Sequence, residues 1–164
     1  MIALVLGGAR SGKSAYAERR ATSLPEPVSY VATACVAGDA DLAARIDEHR
    51  ARRPESWTTI EAGPDVPEVL RATRGTVVLD ALGPWVALAP AFDVDAAQLC
   101  DALAVRDGDT VVVSEEVGLG VHPSTAAGQQ FRDALGELNQ AVATVADEVV
   151  LVVAGRALRL EAAG

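Results

Sequence analysis

Short, nearly continuous apolar runs alternate along the chain with longer amphipathic segments. This is the rhythm of βα units around a mostly parallel sheet whose helices cover both faces. The runs Ile2 to Leu6, Val28 to Ala32, Thr76 to Leu79, Thr110 to Ser114 and Glu148 to Val153 are rich in valine and lack polar alternation, which predicts strands buried on both sides. Helices are predicted over Lys13 to Thr22, Ala40 to Arg53, Val66 to Ala72, Ala96 to Val105 and Ser124 to Ala146. The last is the most periodic: Phe131, Leu135, Leu138, Val142 and Val145 form one apolar stripe, with Gln129, Arg132, Asp133 and Gln140 off it. Trp57 to Glu61 reads as a candidate extra strand, and Gly155 to Leu160 as a last short one, open to antiparallel pairing.

Composition narrows the class. At 164 residues, with no internal repeat or low-complexity linker, the chain is expected to form a single domain over residues 1–164. Its net charge of −9, spread along the chain, argues against nucleic acid as a partner, because phosphate neutralisation needs basic surface. No apolar run approaches the about 20 residues that span a bilayer, so no membrane span is expected. The start, Met1 to Leu6, has no basic leader, and Cys35 and Cys100 suit free thiols in a reducing cytoplasm.

The chemistry is most legible between the first strand and the first helix. Gly7, Gly8, Ala9, Arg10, Ser11, Gly12, Lys13 and Ser14 fit the phosphate-binding P-loop pattern of glycine, four residues, glycine, lysine and serine. Backbone N–H groups and the positive end of the helix would cradle phosphates, Lys13 would reach the β and γ phosphates, and the Ser14 hydroxyl would ligate Mg²⁺. The fold expected is therefore α/β and P-loop NTPase-like, with a nucleoside triphosphate as ligand. Asp80 ends a predicted strand, where ligands of open α/β sheets bind, and is a second candidate for Mg²⁺; an ordinary turn-capping acid would sit there too. Glu115 and Glu116 end another strand, and one of the two is expected near the reacting phosphates. On the predicted helix from Ala40 to Arg53, spacings of four and three place Arg45, His49 and Arg52 on one stripe. That stripe suits a polyphosphate, with the imidazole a nucleophile for phosphorus, although ordinary polar surface has the same pattern. His122 reads as loop.

Several segments in order resemble one family, the bifunctional adenosylcobinamide kinase and adenosylcobinamide-phosphate guanylyltransferase of cobalamin biosynthesis. They are the P-loop, Ala44 to Arg50 with Arg53-Pro54, Trp57 to Glu61, Glu116 to Pro123, Phe131 to Gln140, and Ala146 to Val149 with Gly155. The resemblance implies that the aminopropanol hydroxyl of adenosylcobinamide is phosphorylated, with ATP or GTP as donor. GTP then gives GMP to the enzyme, and the enzyme passes it to adenosylcobinamide phosphate. In the family a histidine carries the GMP, and His49 is the matching position; Arg45 or Arg52 would offset charge on the departing pyrophosphate. The resemblance also makes Ala32, Thr33, Ala34, Arg50, Ala51, Arg52, Glu61 and Asp80 nucleotide-contacting positions. Glu61 or Asp80 would read the donor groups of guanine. It further implies a homotrimer.

The chain departs from the family's pattern at Ala81 and Gly83, where Cys and Thr are common, and at Glu115, where Asn is common. The extra charge at Glu115 needs a cation to balance it near phosphates. Ala87 to Ala96 is also short and broken by proline. Two rival readings are another small-molecule P-loop kinase, in which His49 is idle, and a nucleotide-dependent switch without group transfer.

Overall fold

In the computed structural model, residues 1–33 and 53–162 are described. Ala34, Cys35, Arg45, His49, Arg50, Ala51 and Arg52 lie outside them, as does the predicted helix that begins at Ala40. Among the described residues the elements run β1 (Ile2–Gly7), α1 (Lys13–Thr22), β2 (Val28–Ala32), β3 (Thr58–Glu61), α2 (Val66–Ala72), β4 (Thr76–Asp80) and α3 (Leu82–Leu88). They continue with a 3-10 turn (Pro90–Phe92), α4 (Ala96–Val105), β5 (Thr110–Glu115), α5 (Ala126–Val145), β6 (Glu148–Val153) and β7 (Arg156–Leu160).

The strands form one sheet in the order β3-β2-β4-β5-β1-β6-β7, parallel except for β7, which pairs antiparallel with β6. Period-two alternation divides the core. Leu4, Leu6, Val31, Val77, Leu79 and Val112 face the layer of α2, α3, α4 and α5, where Leu70, Trp85, Leu99, Leu135, Leu138 and Val142 are buried. Val5, Tyr30, Val78, Val111, Val113 and Val150 face Ala17 and Ala21 of α1. The chain leaving β1 passes to β2 on one side, whereas the chain leaving neighbouring β5 crosses to β6 on the other. In such sheets that divergence opens a crevice at the carboxyl ends of the strands.

The helix α3 is absent from the sequence expectation. Gly83 and Pro84 are poor helix formers, but Pro84 lies in the first turn, where its missing N–H leaves no intrahelical bond unmade. Leu82, Trp85 and Val86 bury the inner face, and Trp85 Nε1 donates to Pro64 O at 3.0 Å. The helix α5 starts two residues later than expected because Thr125 caps it, its hydroxyl accepting from Gly128 N at 3.1 Å.

The opposite, amino-terminal edge of the sheet is fastened by Arg106. Its guanidinium donates to Thr73 O (3.0 Å), Gly75 O (2.8 Å), Asp109 O (2.8 Å) and Thr110 Oγ1 (2.7 Å), tying the turn before β4 to the turn before β5. Arg106→Met should strand these acceptors and destabilise the fold by about 3 kcal/mol in urea titration, while folded protein keeps its nucleotide affinity. Loss of less than about 0.5 kcal/mol would contradict the role given to this residue.

Candidate nucleotide site

The segment from Gly7 to Ser14 turns from the end of β1 into α1. Gly12 takes φ +93°, which side chains rarely adopt, and its carbonyl accepts the first helical bond from Tyr16 N at 2.9 Å. The loop is braced from outside where Ser11 O accepts from Gly155 N at 2.8 Å, and from within where Lys13 N donates to Ser11 Oγ at 3.3 Å. The first turn of α1 therefore stands at the carboxyl edge of the sheet, with the N–H groups of Ser14 and Ala15 outside the helical ladder.

Alternation decides which side chains meet α1 there. Val78 and Val113 face α1, so Asp80 and Glu115, each two residues on, continue on that face. Lys13 Nζ lies 3.5 Å from Glu115 Oε1, and the Ser14 hydroxyl donates to Asp80 Oδ1 at 3.4 Å. Tyr30 donates its phenolic hydrogen to Asp80 Oδ2. Glu116 points away from this cluster; its Oε1 accepts from Gly118 N at 2.6 Å, closing the next turn. Of the two adjacent acids, Glu115 is thus the one beside Lys13.

Glu115 is held from three directions. Besides Lys13, its Oε2 accepts from Gly83 N at 2.9 Å, and its backbone carbonyl accepts from Asn139 Nδ2 at 3.1 Å. A Cβ at position 83 would collide with Oε2, so the glycine at 83 and the glutamate at 115, both departures from the family pattern, fit each other sterically. Burial pushes the Glu115 carboxyl above its usual range and Asp80 adds to the rise, while Lys13 and the Gly83 N–H pull it down. Burial, reinforced by Asp80, likewise raises the Tyr30 phenol, which stays protonated and remains a donor.

The remaining expected positions spread along the same edge. Ala32 ends β2 between Asp80 and Glu61, its register partners on β4 and β3. Thr33 is buried and its hydroxyl is engaged with Ala81, accepting from the N–H at 3.1 Å and donating to the carbonyl at 2.5 Å, so it braces β2 against β4. Glu61 is exposed on β3, four strand spacings from β1, roughly 19 Å away, whereas Asp80 touches the P-loop serine. The structure therefore separates the two acids that the sequence could not distinguish.

A family model described as cobinamide kinase / cobinamide phosphate guanyltransferase matches residues 3–160. The chain belongs to this family. Its members are bifunctional enzymes. The family's bifunctional adenosylcobalamin biosynthesis protein CobP of Pseudomonas aeruginosa is 40% identical over 96% of this chain and 96% of its own length. CobU of Salmonella typhimurium is 36% identical and CobU of Escherichia coli 33%, each over 98% of this chain and the whole relative. Among solved structures, an ATPase of the type III secretion system of pathogenic bacteria is similar in fold, with TM-score 0.58 and 10% identity, covering 92% of this chain and half of the ATPase chain. The flagellar accessory protein FlaH of Methanocaldococcus jannaschii gives TM-score 0.51 at 15% identity, covering 98% of this chain and 77% of its own. These likenesses concern the α/β fold alone.

Sequence reasoning gave no site contact to Tyr30, Arg53, Gly83 or Asn139. Tyr30 and Gly83 sit in apolar runs and count as core or breaker by pattern. Their polar contacts cross strands that are far apart in the chain. A pH dependence follows from Glu115. A carboxyl with a raised folded-state pKa contributes stability that is present at acid pH and lost as pH rises through that value. The melting temperature of Glu115→Gln relative to wild type should therefore climb from about pH 4 to about pH 8. A difference that is flat or falls over that range would contradict the burial assigned to this group.

Proposed function

We propose that this family member phosphorylates the aminopropanol hydroxyl of adenosylcobinamide and then transfers GMP from GTP to adenosylcobinamide phosphate through a covalent GMP on His49. The observation that carries the phosphate chemistry is the placing of Lys13 beside Glu115 and Ser14 beside Asp80 at the mouth of the P-loop, on the face covered by α1. The match of residues 3–160 to the family, and of 96% of the chain to a bifunctional relative, supports the second half.

In the kinase step, polyphosphate competes with Glu115 for Lys13, and the N–H groups of the loop and of the first turn of α1 take the phosphate oxygens. The acceptor hydroxyl oxygen attacks the γ-phosphorus, the bond to the bridging oxygen breaks, and the hydroxyl proton passes to water. In the guanylyl step the His49 imidazole attacks the α-phosphorus of GTP and pyrophosphate leaves. The phosphate of the phosphorylated corrinoid then attacks the same phosphorus and restores the imidazole. Arg45 and Arg52 are assigned to the pyrophosphate charge, and Arg50 and Ala51 to nucleotide contact, on the sequence match.

The Ser14 hydroxyl and Asp80 carboxylate are hard oxygen donors close together, a set that suits Mg²⁺ completed by phosphate and water oxygens. Bound there, Mg²⁺ would neutralise developing phosphate charge. Asp80 is assigned to this role and Glu61, far along the edge, to the N–H groups of guanine. The protein is read as a cytoplasmic homotrimer.

Intact-protein mass after incubation with Mg²⁺ and GTP tests the covalent half. One GMP should add to wild type, none to His49→Ala, and adenosylcobinamide phosphate should discharge it. Folded, GTP-binding protein that gains no mass would contradict the covalent route and leave a kinase alone. Lys13→Ala should lower corrinoid phosphorylation about 10²–10³-fold, the range for loss of one group stabilising transition-state charge. Unchanged turnover would move the kinase site elsewhere.

A further inference from the structure

The polar groups at the mouth of the P-loop continue away from it in one direction. Tyr30 is paired in register with Val78 on β4 and with Thr59 on β3. Asp80, two residues beyond Val78, is its diagonal neighbour on the same face, within reach of an aromatic side chain. The phenolic O–H is directed to Asp80 Oδ2, while Asp80 Oδ1 accepts from Ser14. On its other side the Tyr30 ring carries the guanidinium of Arg53, whose Cζ stands 3.2 Å from the ring centroid. Arg53 is itself fixed: its side chain is 7% exposed, Nε lies 4.0 Å from Glu18 Oε1 on α1, and Nη1 donates to Thr59 Oγ1 at 3.3 Å. The run that begins at Arg53 leads directly into β3, which ends at Glu61.

We infer that Tyr30 is a positioning residue for the metal–nucleotide site: its hydroxyl fixes the rotamer of the Asp80 carboxylate beside Ser14, and its ring, held by Arg53, couples that carboxylate to the run entering β3. A carboxylate held by two hydroxyl donors has its oxygens placed before a cation arrives. Outer partners of this kind typically change metal affinity 10–100-fold when removed. The same ring joins the strand of Asp80 to the strand of Glu61, the two acids assigned above to opposite ends of the nucleotide. This inference rests on the P-loop reading of the site.

The test is calorimetric titration with the ATP analogue AMPPNP at a series of Mg²⁺ concentrations, with melting temperature recorded alongside. Tyr30→Phe keeps the ring over Arg53 and removes the hydroxyl. It should raise the Mg²⁺ concentration for half-maximal binding about tenfold, leave Mg²⁺-free binding unchanged, and be rescued by excess Mg²⁺. Asp80→Asn should shift the same midpoint, and the double variant should be no worse than Asp80→Asn alone, as expected when one residue acts through the other. Effects that multiply in the double variant, or a loss of affinity equal with and without Mg²⁺, would overturn the inference. If Tyr30→Phe does not fold, Arg53→Lys should keep the wild-type midpoint and Arg53→Ala should raise it; equal midpoints would overturn it. Wild type that binds AMPPNP without any Mg²⁺ dependence would overturn the P-loop metal reading first, and this inference with it.

Discussion

Lys13 is the charge around which the functional edge is arranged, and in this structure its partner is a protein carboxylate. Glu115 is buried enough that its own ionisation is disfavoured, and the ammonium 3.5 Å away is what compensates for it. The rest of the edge accommodates that pair. Gly83 leaves the space and gives an N–H, Asn139 fixes the Glu115 backbone from α5, and Asp80 turns to Ser14 and Tyr30 instead of to the lysine. On the function proposed above, an incoming phosphate would replace Glu115 at Lys13, and the buried carboxyl, already shifted upward, would be left to take up a proton.

The two ends of the sheet are built differently. At the carboxyl edge the contacts of the P-loop side chains themselves are long, 3.4 Å at Ser14 and 3.5 Å at Lys13, while their carboxylate partners are held more closely by Tyr30 and Gly83. At the amino edge the bonds are short and terminal: Arg106 fans into the turns, the chain's amino group meets Asp109 at 2.9 Å, and Ile2 N donates to Asp147 at 2.6 Å. The long contacts at the carboxyl edge fall on the P-loop side chains, at the end of a parallel sheet where ligands bind.

The strands and most helices were legible because their signals are local. A Val-rich run with no polar alternation has few other solutions, and the helix predicted over Ser124 to Ala146 agrees with α5 to within two residues at each end. The P-loop was legible for the same reason, its chemistry lying in eight consecutive residues. What escaped depends on strand order. Glu115 and Glu116 are indistinguishable by composition, and only the side on which α1 lies selects the first. Tyr30 looks like core because most of it is core; its hydroxyl matters only once β2 is known to lie beside β4. The helix α3 carries little local signal, because it is seven residues long and has Gly83 and Pro84, poor helix formers, in a first turn where they are harmless. The assignment of Asp80 and Glu61 to different ends of a nucleotide likewise needed the sheet, which sets them apart by strand count.

The most direct test of this account is where the Lys13 ammonium goes when the site is filled. A crystal structure with Mg²⁺ and a non-hydrolysable nucleotide should show phosphates seated in the loop from Gly8 to Ser14 and Lys13 Nζ on a phosphate oxygen, withdrawn from Glu115. Nucleotide bound elsewhere, with the 3.5 Å contact between Lys13 and Glu115 intact, would contradict it.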